Sequence, residues 1–180
     1  MPAKKVVIGN RGDANEATVL GGGLVVADAH DYHEYDGSRF HLVHASSTAA
    51  ATQGIHIVTP GAAYACHLVY QVSPARGGRL YLHEGPTLGA TGAALTAYCA
   101  NREVAATANM EYYWNTPLTA TGTLLEQSVA HDASGFVNAN SVGGHAGWWL
   151  APNTIYLLQF GFGATADVAV FDLDAYEMVP

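Results

Sequence analysis

The last third of the chain constrains the fold more than any other segment. Residues Ile155–Phe162 form a run of β-branched, aromatic and aliphatic side chains bounded by turn residues, which predicts a strand rather than a helix. Both faces of this strand are apolar, and such a strand is usually covered on both faces or central in its sheet. Residues Asp167–Tyr176 alternate strictly, with Asp172 and Asp174 on one face and apolar side chains on the other. Together the two segments predict a long antiparallel hairpin whose acidic face meets solvent or a partner.

Clusters of glycine, proline, serine and asparagine divide the rest of the chain into short apolar segments. The further predicted strands are Leu24–Ala27, Arg39–His44, Ile55–Thr59, Ala65–Val72, Arg79–Glu84, Ala93–Cys99 and Gly122–Val129. Eight or nine short strands at this spacing are typical of an all-β sandwich or barrel. Ala100–Met110 is predicted to form a helical turn, and Ser134–Gly147 a loop rich in glycine and asparagine.

Composition limits the classes of function. At 180 residues the chain is predicted to be one domain, and only 12% of its residues are charged, about half the usual share. A surface with so few charges suits burial by a partner, although composition alone fits a weakly charged monomer equally well. The net charge of −8 argues against a nucleic-acid partner, which would need lysine and arginine. No segment is apolar and long enough to predict a membrane span, and no signal peptide is predicted, which indicates synthesis in the cytoplasm.

The N-terminal segment, residues 1–23, is predicted to be an arm attached to a sandwich domain of residues 24–180. Three consecutive glycines at its end give the backbone large freedom and separate it from the first confidently predicted strand. Its three cations and two acids give this segment a charge of about +1. The rest of the chain therefore carries about −9, and the two sum to the net charge of −8. The arm is predicted to bind a partner, by strand addition and charge, through Lys4, Lys5, Val6, Val7, Ile8 and Arg11.

Nothing in the sequence predicts catalysis or a cofactor. The closest metal candidates are His30, His33 and Glu34, but the His-x-His pair of a cupin-like site does not occur and the other histidines lie singly in predicted strands. No nucleophile motif such as Gly-x-Ser-x-Gly is present. Asp172 and Asp174 fit a solvated strand face better than a glycosidase pair. We therefore predict no catalytic residue, no metal site and no cofactor, and Cys66 is predicted to be a buried structural thiol.

Aromatic side chains in the second half of the chain are the remaining candidates for contact with a partner. Trp114, Trp148 and Trp149, together with Tyr112 and Tyr113, fit a stacking platform for sugars. In a small β-domain such residues belong more often to the core or to a protein interface. The three tryptophans are therefore predicted as possible interface aromatics.

Several short motifs resemble those of small proteins from the structural gene clusters of tailed bacteriophages. They are Asp28–Glu34, Gly37–Phe40, Ile55–Pro60, Leu68–Tyr70, Leu80–Gly85 and Trp149–Leu158. The resemblance is to head decoration, or cement, proteins and runs from about Asp28 to Tyr176. It implies a jelly-roll-like antiparallel β-sandwich, assembly as a homotrimer, and binding to the major capsid protein on the outer surface of the virion. It implies no catalytic residues.

The function predicted from the sequence is therefore capsid decoration, with no enzymatic activity. A cement protein needs a rigid scaffold, an interface with few charges and a segment that reaches its neighbours, and the predicted sandwich and arm fit those needs. A carbohydrate-binding β-sandwich on a phage surface or fibre is the alternative, and a cupin-like metalloprotein is a third, weaker one. Binding to glycans that is lost on replacing Trp148 or Trp149 would favour the alternative.

Overall fold

The protein is all-β. The computed structural model describes residues 4–7, 16–20, 23–26, 37–46, 50–130, 147–162 and 167–178, and these ranges contain no helix. The described ranges contain sixteen strands, namely β1 (Lys4–Val7), β2 (Glu16–Leu20), β3 (Gly23–Val26), β4 (Arg39–Ala45), β5 (Thr52–Val58), β6 (Ala65–Pro74), β7 (Gly78–Glu84), β8 (Thr87–Leu88), β9 (Ala93–Leu95), β10 (Tyr98–Cys99), β11 (Glu111–Trp114), β12 (Leu118–Ala120), β13 (Thr123–Ala130), β14 (Trp148–Leu150), β15 (Ile155–Phe162) and β16 (Ala169–Met178).

Two antiparallel sheets pack together around one hydrophobic core. The five-stranded sheet has the order β10-β4-β16-β6-β14, and the six-stranded sheet has the order β13-β7-β15-β5-β11-β9. Alternating side chains from both sheets fill the space between them, including Leu42, Ile57, Leu82, Leu158 and Phe171. This confirms the predicted all-β, antiparallel architecture. The predicted count of eight or nine strands was too low, because thirteen strands follow residue 37 and most of the additional ones have only two to four residues.

Strands from the first and second halves of the fold pair in nested order. β4 pairs with β16, β5 with β15, β6 with β14 and β7 with β13, all antiparallel. Two further pairings, β16 with β6 and β15 with β7, join these pairs within each sheet. The segment from β8 to β12 connects β7 to β13, the innermost of these nested pairs. It adds β10 to one sheet and β9 and β11 to the other, and β8 pairs with β12 in a separate ribbon.

The predicted hairpin of β15 and β16 does not exist. β15 lies in the six-stranded sheet between β7 and β5, whereas β16 lies in the five-stranded sheet between β4 and β6. Each strand has two neighbours, so its hydrogen-bonding edges are already occupied and the chain crosses between the sheets instead. The predicted faces are nevertheless confirmed. Leu157 on the second apolar face of β15 is buried, and Asp172 and Asp174 of β16 point away from the core.

The N-terminal strands form a sheet of their own. β2 pairs with β1 on one side and with β3 on the other, in a three-stranded antiparallel sheet. The predicted strand at Leu24–Ala27 is present as β3, but it pairs with β2 of the predicted arm. The predicted boundary after residue 23 therefore falls inside a hairpin, since β3 begins at Gly23.

Residues 100–110 form a loop that contains no helix, and the predicted helical turn is present only as one hydrogen-bonded turn, in which the Val104 backbone N–H donates to Asn101 O at 3.2 Å. The end of this loop is hydrogen-bonded to the buried carboxylate of Glu177, near the end of β16. The backbone N–H of Met110 donates to Glu177 Oε1 at 2.7 Å, and the backbone N–H and side-chain amide of Asn109 donate to Oε2 at 2.7 and 2.9 Å. Because these backbone donors bond a side chain, they are not used in a helical pattern. Part of the predicted loop, residues 134–146, lies outside the described ranges.

Candidate interaction surface

The side of the five-stranded sheet that points away from the core is the candidate interaction surface, and we call it the open face. Strand pairing brings its side chains into rows that run across the sheet. One row is Arg39, Tyr176, His67 and Trp149, and the next is Tyr98, His41, Asp174 and Val69. The rows that follow contain Val43, Asp172 and Gln71, then Ala45, Val170 and Ser73. One end of the open face is therefore aromatic and the other is rich in valine.

An ion pair crosses the middle of the open face. The Arg39 Nε–H donates to Asp174 Oδ1 and its Nη2–H donates to Oδ2, both at 3.2 Å, in a two-pronged contact. Nδ1 of His41 lies 3.2 Å from Asp174 Oδ1 and 3.6 Å from Asp172 Oδ1. Asp174 is therefore bound by two neighbouring side chains, an arrangement that suits it to ordering the surface more than to transferring protons.

Aromatic rings pack against one another at tilted angles along one edge of the open face. The His67 ring lies between those of Trp149 and Tyr176, with centroids 5.0 and 5.8 Å away. Gly147 approaches this ring so closely that a Cβ at that position would clash with His67 Nε2, and its φ of 68° also favours glycine. The Trp149 side chain remains 65% exposed. This edge therefore offers one exposed indole held by a packed ring beneath it.

The open face combines exposed apolar side chains with charges that balance each other. It carries four of the seven large hydrophobic side chains that are exposed among the described residues, namely Val43, Tyr98, Trp149 and Val170. Its arginine Arg39, with Arg102 placed 5.5 Å over the Tyr98 ring, balances the two aspartates of β16. The whole chain carries −8, so this face differs from the average surface. Low net charge with exposed tyrosine, tryptophan and arginine is typical of the centre of a protein interface.

The three candidate tryptophans have three different environments. Trp149 belongs to the open face, but its neighbour Trp148 points to the core side, because adjacent strand residues face opposite ways. The Trp148 indole N–H donates to Glu126 Oε2 at 2.7 Å. Trp114 packs inside the sandwich edge, with ring centroids 4.2 Å from His44 and 5.4 Å from Phe171. The structure therefore does not bring the three tryptophans together on one surface, and Trp114 and Trp148 are partly buried.

Glu126 joins the two sheets at the edge where Trp148 lies. Its Oε2 accepts a hydrogen bond from the Tyr70 hydroxyl at 2.8 Å as well as from the Trp148 indole. Tyr70 and Trp148 belong to the five-stranded sheet, whereas Glu126 is on β13 of the six-stranded sheet. Burial and the adjacent carboxylate raise the pKa of Tyr70, so its hydroxyl remains a donor. Alternation of apolar residues could not reveal this contact, because it joins three segments far apart in sequence.

The other predicted site residues are distributed as follows. Lys4, Lys5, Val6 and Val7 form β1, and Ile8 and Arg11 lie outside the described residues. His30, His33 and Glu34 also lie outside them. Within the described ranges no group of three or more histidine, cysteine or acidic side chains is arranged to hold a metal ion.

Cys66 and Cys99 are both free thiols and both buried, which confirms the prediction for Cys66. Burial, with a smaller contribution from the negative charge of Glu177, raises the pKa of Cys66 to about 11. The thiol therefore stays protonated at neutral pH and is a poor nucleophile. In the part of the chain that the structure covers, no helix is long and apolar enough to cross a bilayer.

Comparison of the chain with protein-family models, curated proteins and solved structures gave no match. A function for this chain therefore has to follow from its own residues and their geometry. The open face is the feature with the most specific chemistry for a partner.

Proposed function

We propose that the protein is a non-enzymatic decoration, or cement, protein of a tailed-bacteriophage head, which binds the major capsid protein on the outer surface of the virion. The open face is the observation that carries this proposal. A structural protein of this kind needs a rigid surface that buries apolar side chains without burying unpaired charge. The open face combines exposed Val43, Tyr98 and Trp149 with an Arg39–Asp174 pair whose charges already compensate each other.

The proposed scaffold is a jelly roll. Jelly rolls are double-sheet folds of eight strands and occur in viral capsid and lectin domains. The nested pairing of β4 to β7 with β16 to β13 supports this assignment, since it yields sheet orders β4-β16-β6-β14 and β5-β15-β7-β13. In this scheme β9, β10 and β11 are additions at the two sheet edges, contributed by the segment between β7 and β13.

Assembly as a homotrimer is part of the proposal, and β13 is the sheet edge best suited to it. The other edge strands, β9, β10 and β14, have two or three residues each, and short edges discourage further pairing. β13 has eight residues and pairs within the described ranges with β7 alone. Its exposed Leu124 and Val129 add apolar surface beside that edge. A symmetric oligomer is one way to cover such an edge.

The N-terminal strands are proposed to contribute to attachment. β1 and β3 are the edges of their own three-stranded sheet, so either can accept a strand from a neighbour. Because β3 pairs with β2, a clean deletion has to remove residues 1–26 rather than 1–23. We expect that deletion to leave the melting temperature of the sandwich unchanged and to reduce capsid occupancy.

The test uses capsids that lack this protein. Full-length protein is added, the capsids are separated from free protein, and the bound copies per capsid are counted, with light scattering giving the oligomeric state of the free protein. We expect saturable, stoichiometric binding by a trimer, and reduced occupancy for the deletion of residues 1–26. No saturable binding would overturn the proposed function, a monomer both free and bound would overturn the trimer, and full occupancy by the deletion variant would overturn the role of the arm.

A second candidate function, binding of carbohydrate, is favoured by one observation. Trp149 is 65% exposed and its ring packs at a tilted angle against His67, and an exposed indole is a suitable surface for a sugar ring. Under this alternative, Trp149→Ala abolishes binding on a glycan array. Trp148→Ala is not a valid substitute in that test, because the Trp148 indole bonds Glu126 between the sheets.

A further inference from the structure

A cavity lies on the outer side of the six-stranded sheet, at the end where β7 begins and β15 ends. Its volume is about 660 Å³, and it is open to solvent. Its lining includes Arg79 and Tyr81 of β7, Gln159 and Gly161 of β15, and Thr52 of β5. The cavity is distinct from the open face, which belongs to the other sheet.

The lining side chains point away from the core and are accessible. In β7, Leu80 is buried in the core, so its neighbours Arg79 and Tyr81 project from the outer side of the sheet. In β15, Phe160 is buried in the core, so Gln159 projects from the outer side as well. Arg79 is exposed, and Tyr81 and Gln159 are partly exposed. A ligand in the cavity therefore reaches the polar groups of all three.

Gly161 forms the floor between these side chains, although nothing in the fold requires a glycine there. It pairs with Arg79 on one side and with Thr52 on the other. Beyond its chain neighbours, the described atom nearest to a Cβ at this position would be Tyr81 Cε2 at 3.8 Å, an ordinary van der Waals contact. Its φ does not lie in the left-handed region. Glycine weakens a strand, and in a strand it often marks a site where a ligand approaches closely.

The neighbouring glycines of β5 and β7, in contrast, have a steric reason. A Cβ at Gly54 would lie 3.0 Å from Leu157 Cδ1, and a Cβ at Gly78 would lie 2.6 Å from Phe160 Cε1. Protein atoms therefore occupy the space beside both residues. Of the three glycines, Gly161 is the one whose empty side is left open, and that side lies in the cavity.

Arg79 supplies the charge of the lining. No lysine, aspartate, glutamate or second arginine lines the cavity. Within the described residues the Arg79 guanidinium has neither an ion pair nor a hydrogen bond. In a chain with a net charge of −8, an arginine without an acidic neighbour is a local site for an anion. The forked N–H donors of a guanidinium match the two oxygens of a carboxylate.

The groups around this cation are neutral and suit a molecule rich in hydroxyls. The Tyr81 ring lies beside the floor at Gly161, and an aromatic ring is a suitable surface for the C–H face of a sugar. The Gln159 amide and the Thr52 hydroxyl each offer both a donor and an acceptor. A strongly acidic peptide would be matched by several cations, whereas this lining has one. The volume lies within the range of about 300–1,000 Å³ that is usual for small-molecule sites.

From this geometry we propose that the cavity binds an acidic sugar, a pyranose ring that carries one carboxylate. The carboxylate accepts two N–H bonds from Arg79, the C–H face of the ring packs against Tyr81 above Gly161, and the hydroxyls bond Gln159 and Thr52. The ligand is either a free acidic monosaccharide or an acidic residue of a polysaccharide, which share this chemistry. The inference goes beyond capsid decoration and does not depend on it.

The experiment follows the backbone amide signals of Arg79, Tyr81 and Gly161 by NMR in the full-length protein. The probes are glucuronate, galacturonate and mannuronate. Glucose, galactose and mannose are their neutral counterparts, and acetate carries the charge alone. We expect at least one acidic sugar to shift the signals saturably, with a dissociation constant on the order of 1 mM, as is usual for one small ring. Its neutral counterpart and acetate should bind at least about tenfold more weakly.

Two outcomes of this titration would overturn the proposal. One is the absence of a saturable shift with every acidic sugar at about ten times that concentration. The other is an equal response to an acidic sugar and to its neutral counterpart or acetate, because either result would show that the ring and the carboxylate are not recognised together.

A variant that fills the floor separates ligand binding from a structural role. Gly161→Val is expected to abolish the shifts and to leave the melting temperature equal or higher, because valine favours strands and the space beside Gly161 is open. Gly161→Ala, which adds one methyl group, is expected to bind with intermediate affinity. Binding by Gly161→Val that equals that of the wild-type protein would contradict the proposal. A marked fall in its melting temperature would contradict the claim that the fold does not require this glycine.

A matched pair of variants tests the role of the cation. Arg79→Gln and Arg102→Gln each remove one positive charge, but Arg79 lines the cavity whereas Arg102 lies over the Tyr98 ring on the open face. We expect at least about tenfold weaker binding of the acidic sugar by Arg79→Gln and unchanged binding by Arg102→Gln. Equal affinities of the two variants would show that the local guanidinium does not hold the carboxylate.

The source of the ligand is read from a second arm of the experiment. The wild-type protein and Gly161→Val are applied to an array that carries acidic polysaccharides, neutral polysaccharides and acidic peptides. A signal on acidic polysaccharides that is lost in Gly161→Val assigns the cavity to a residue of such a chain. Binding of free acidic sugars without an array signal assigns it to a free monosaccharide. A signal on acidic peptides that is lost in Gly161→Val, without binding of acidic sugars, would overturn the proposal.

Discussion

The two outer sides of the sandwich differ in what covers them. On the six-stranded sheet, the row that contains His56 and Leu157 is almost fully buried, each residue being 1% exposed, and Leu118 of the β8–β12 ribbon lies beside this row. We call this side the covered face. On the five-stranded sheet, Val43 is 56% and Trp149 is 65% exposed. The centre of one outer face is therefore buried beside the chain's own inserted segment, whereas the open face is available for contact with solvent or a partner.

This difference explains why the two long C-terminal strands have different sequence patterns. β15 has apolar residues on its core face and a buried leucine, Leu157, on its outer face, because the ribbon side lies over that position. β16 alternates because only its core side is covered, and Asp172 and Asp174 occupy its open side. In a sandwich, the side chains on the face of a strand that points away from the core thus indicate whether another part of the chain lies over it.

The largest expected effect is a loss of stability when a buried side chain of the covered face is shortened. Leu157→Ala should lower the free energy of unfolding by about 2–5 kcal/mol, because it leaves a cavity at a fully buried position. The matched change on the open face, Val43→Ala, should change it by less than about 0.5 kcal/mol. Urea denaturation monitored by tryptophan fluorescence measures both. Similar losses for the two variants would show that the two faces are not differently covered.

A smaller effect is expected from removing the carboxylate between the sheets. Glu126→Ala should cost about 2 kcal/mol, because the Tyr70 hydroxyl and the Trp148 indole N–H both lose their acceptor. Asp174→Ala on the open face should cost about 1 kcal/mol or less, since its pair with Arg39 is partly exposed to solvent. Glu126→Gln, which keeps one acceptor oxygen, should fall between the two. A cost for Asp174→Ala that exceeds that of Glu126→Ala would contradict this ranking.

A further difference is expected in the response to pH. Burial lowers the pKa of His56 and His83 on the covered face, and of His44 at the core edge, from the ordinary value of 6.5. Below pH 6.5 the unfolded chain therefore binds protons that the folded chain does not, so stability falls as pH falls from there toward the lowered values. Melting curves between about pH 7 and 5 should show this fall. The double variant His56→Leu/His83→Leu should show less of it, and an unchanged slope in that variant would contradict the assignment.

The sequence predicts strands well where they are long and alternate. The positions of β4, β5, β6, β7, β13, β15 and β16 follow from apolar periodicity and turn residues, and the inward faces of Leu80, Leu82 and Phe171 follow from the same pattern. The short strands β8 to β12 and β14 were missed or merged, because two to four residues give no periodicity. Ala93–Cys99, predicted as one strand, is divided between β9 and β10 in different sheets.

Strand pairing and the candidate surface were much harder to predict. Periodicity tells which way a side chain points within its strand but not which strand lies beside it, so β15 and β16 were wrongly paired with each other. Alternation alone would have separated Trp148 from Trp149, since neighbours in a strand face opposite sides. The contact of Arg39 with Asp174 and that of Glu126 with Tyr70 join residues 135 and 56 positions apart. Such contacts depend on sheet topology and carry no local signal.

The most direct test of the open face compares one charge introduced there with the same charge introduced elsewhere. Val43→Asp places a carboxylate at an exposed position of the open face, and Thr121→Asp places one at an exposed position in the turn between β12 and β13. Both variants should melt within a degree or two of the wild-type protein, because both sites are exposed. Their occupancy on capsids lacking the protein is then counted. The account predicts at least about a tenfold weaker affinity for Val43→Asp, equivalent to about 1.4 kcal/mol, and unchanged affinity for Thr121→Asp. Equal occupancy by the two variants would contradict the assignment of the open face as the docking surface.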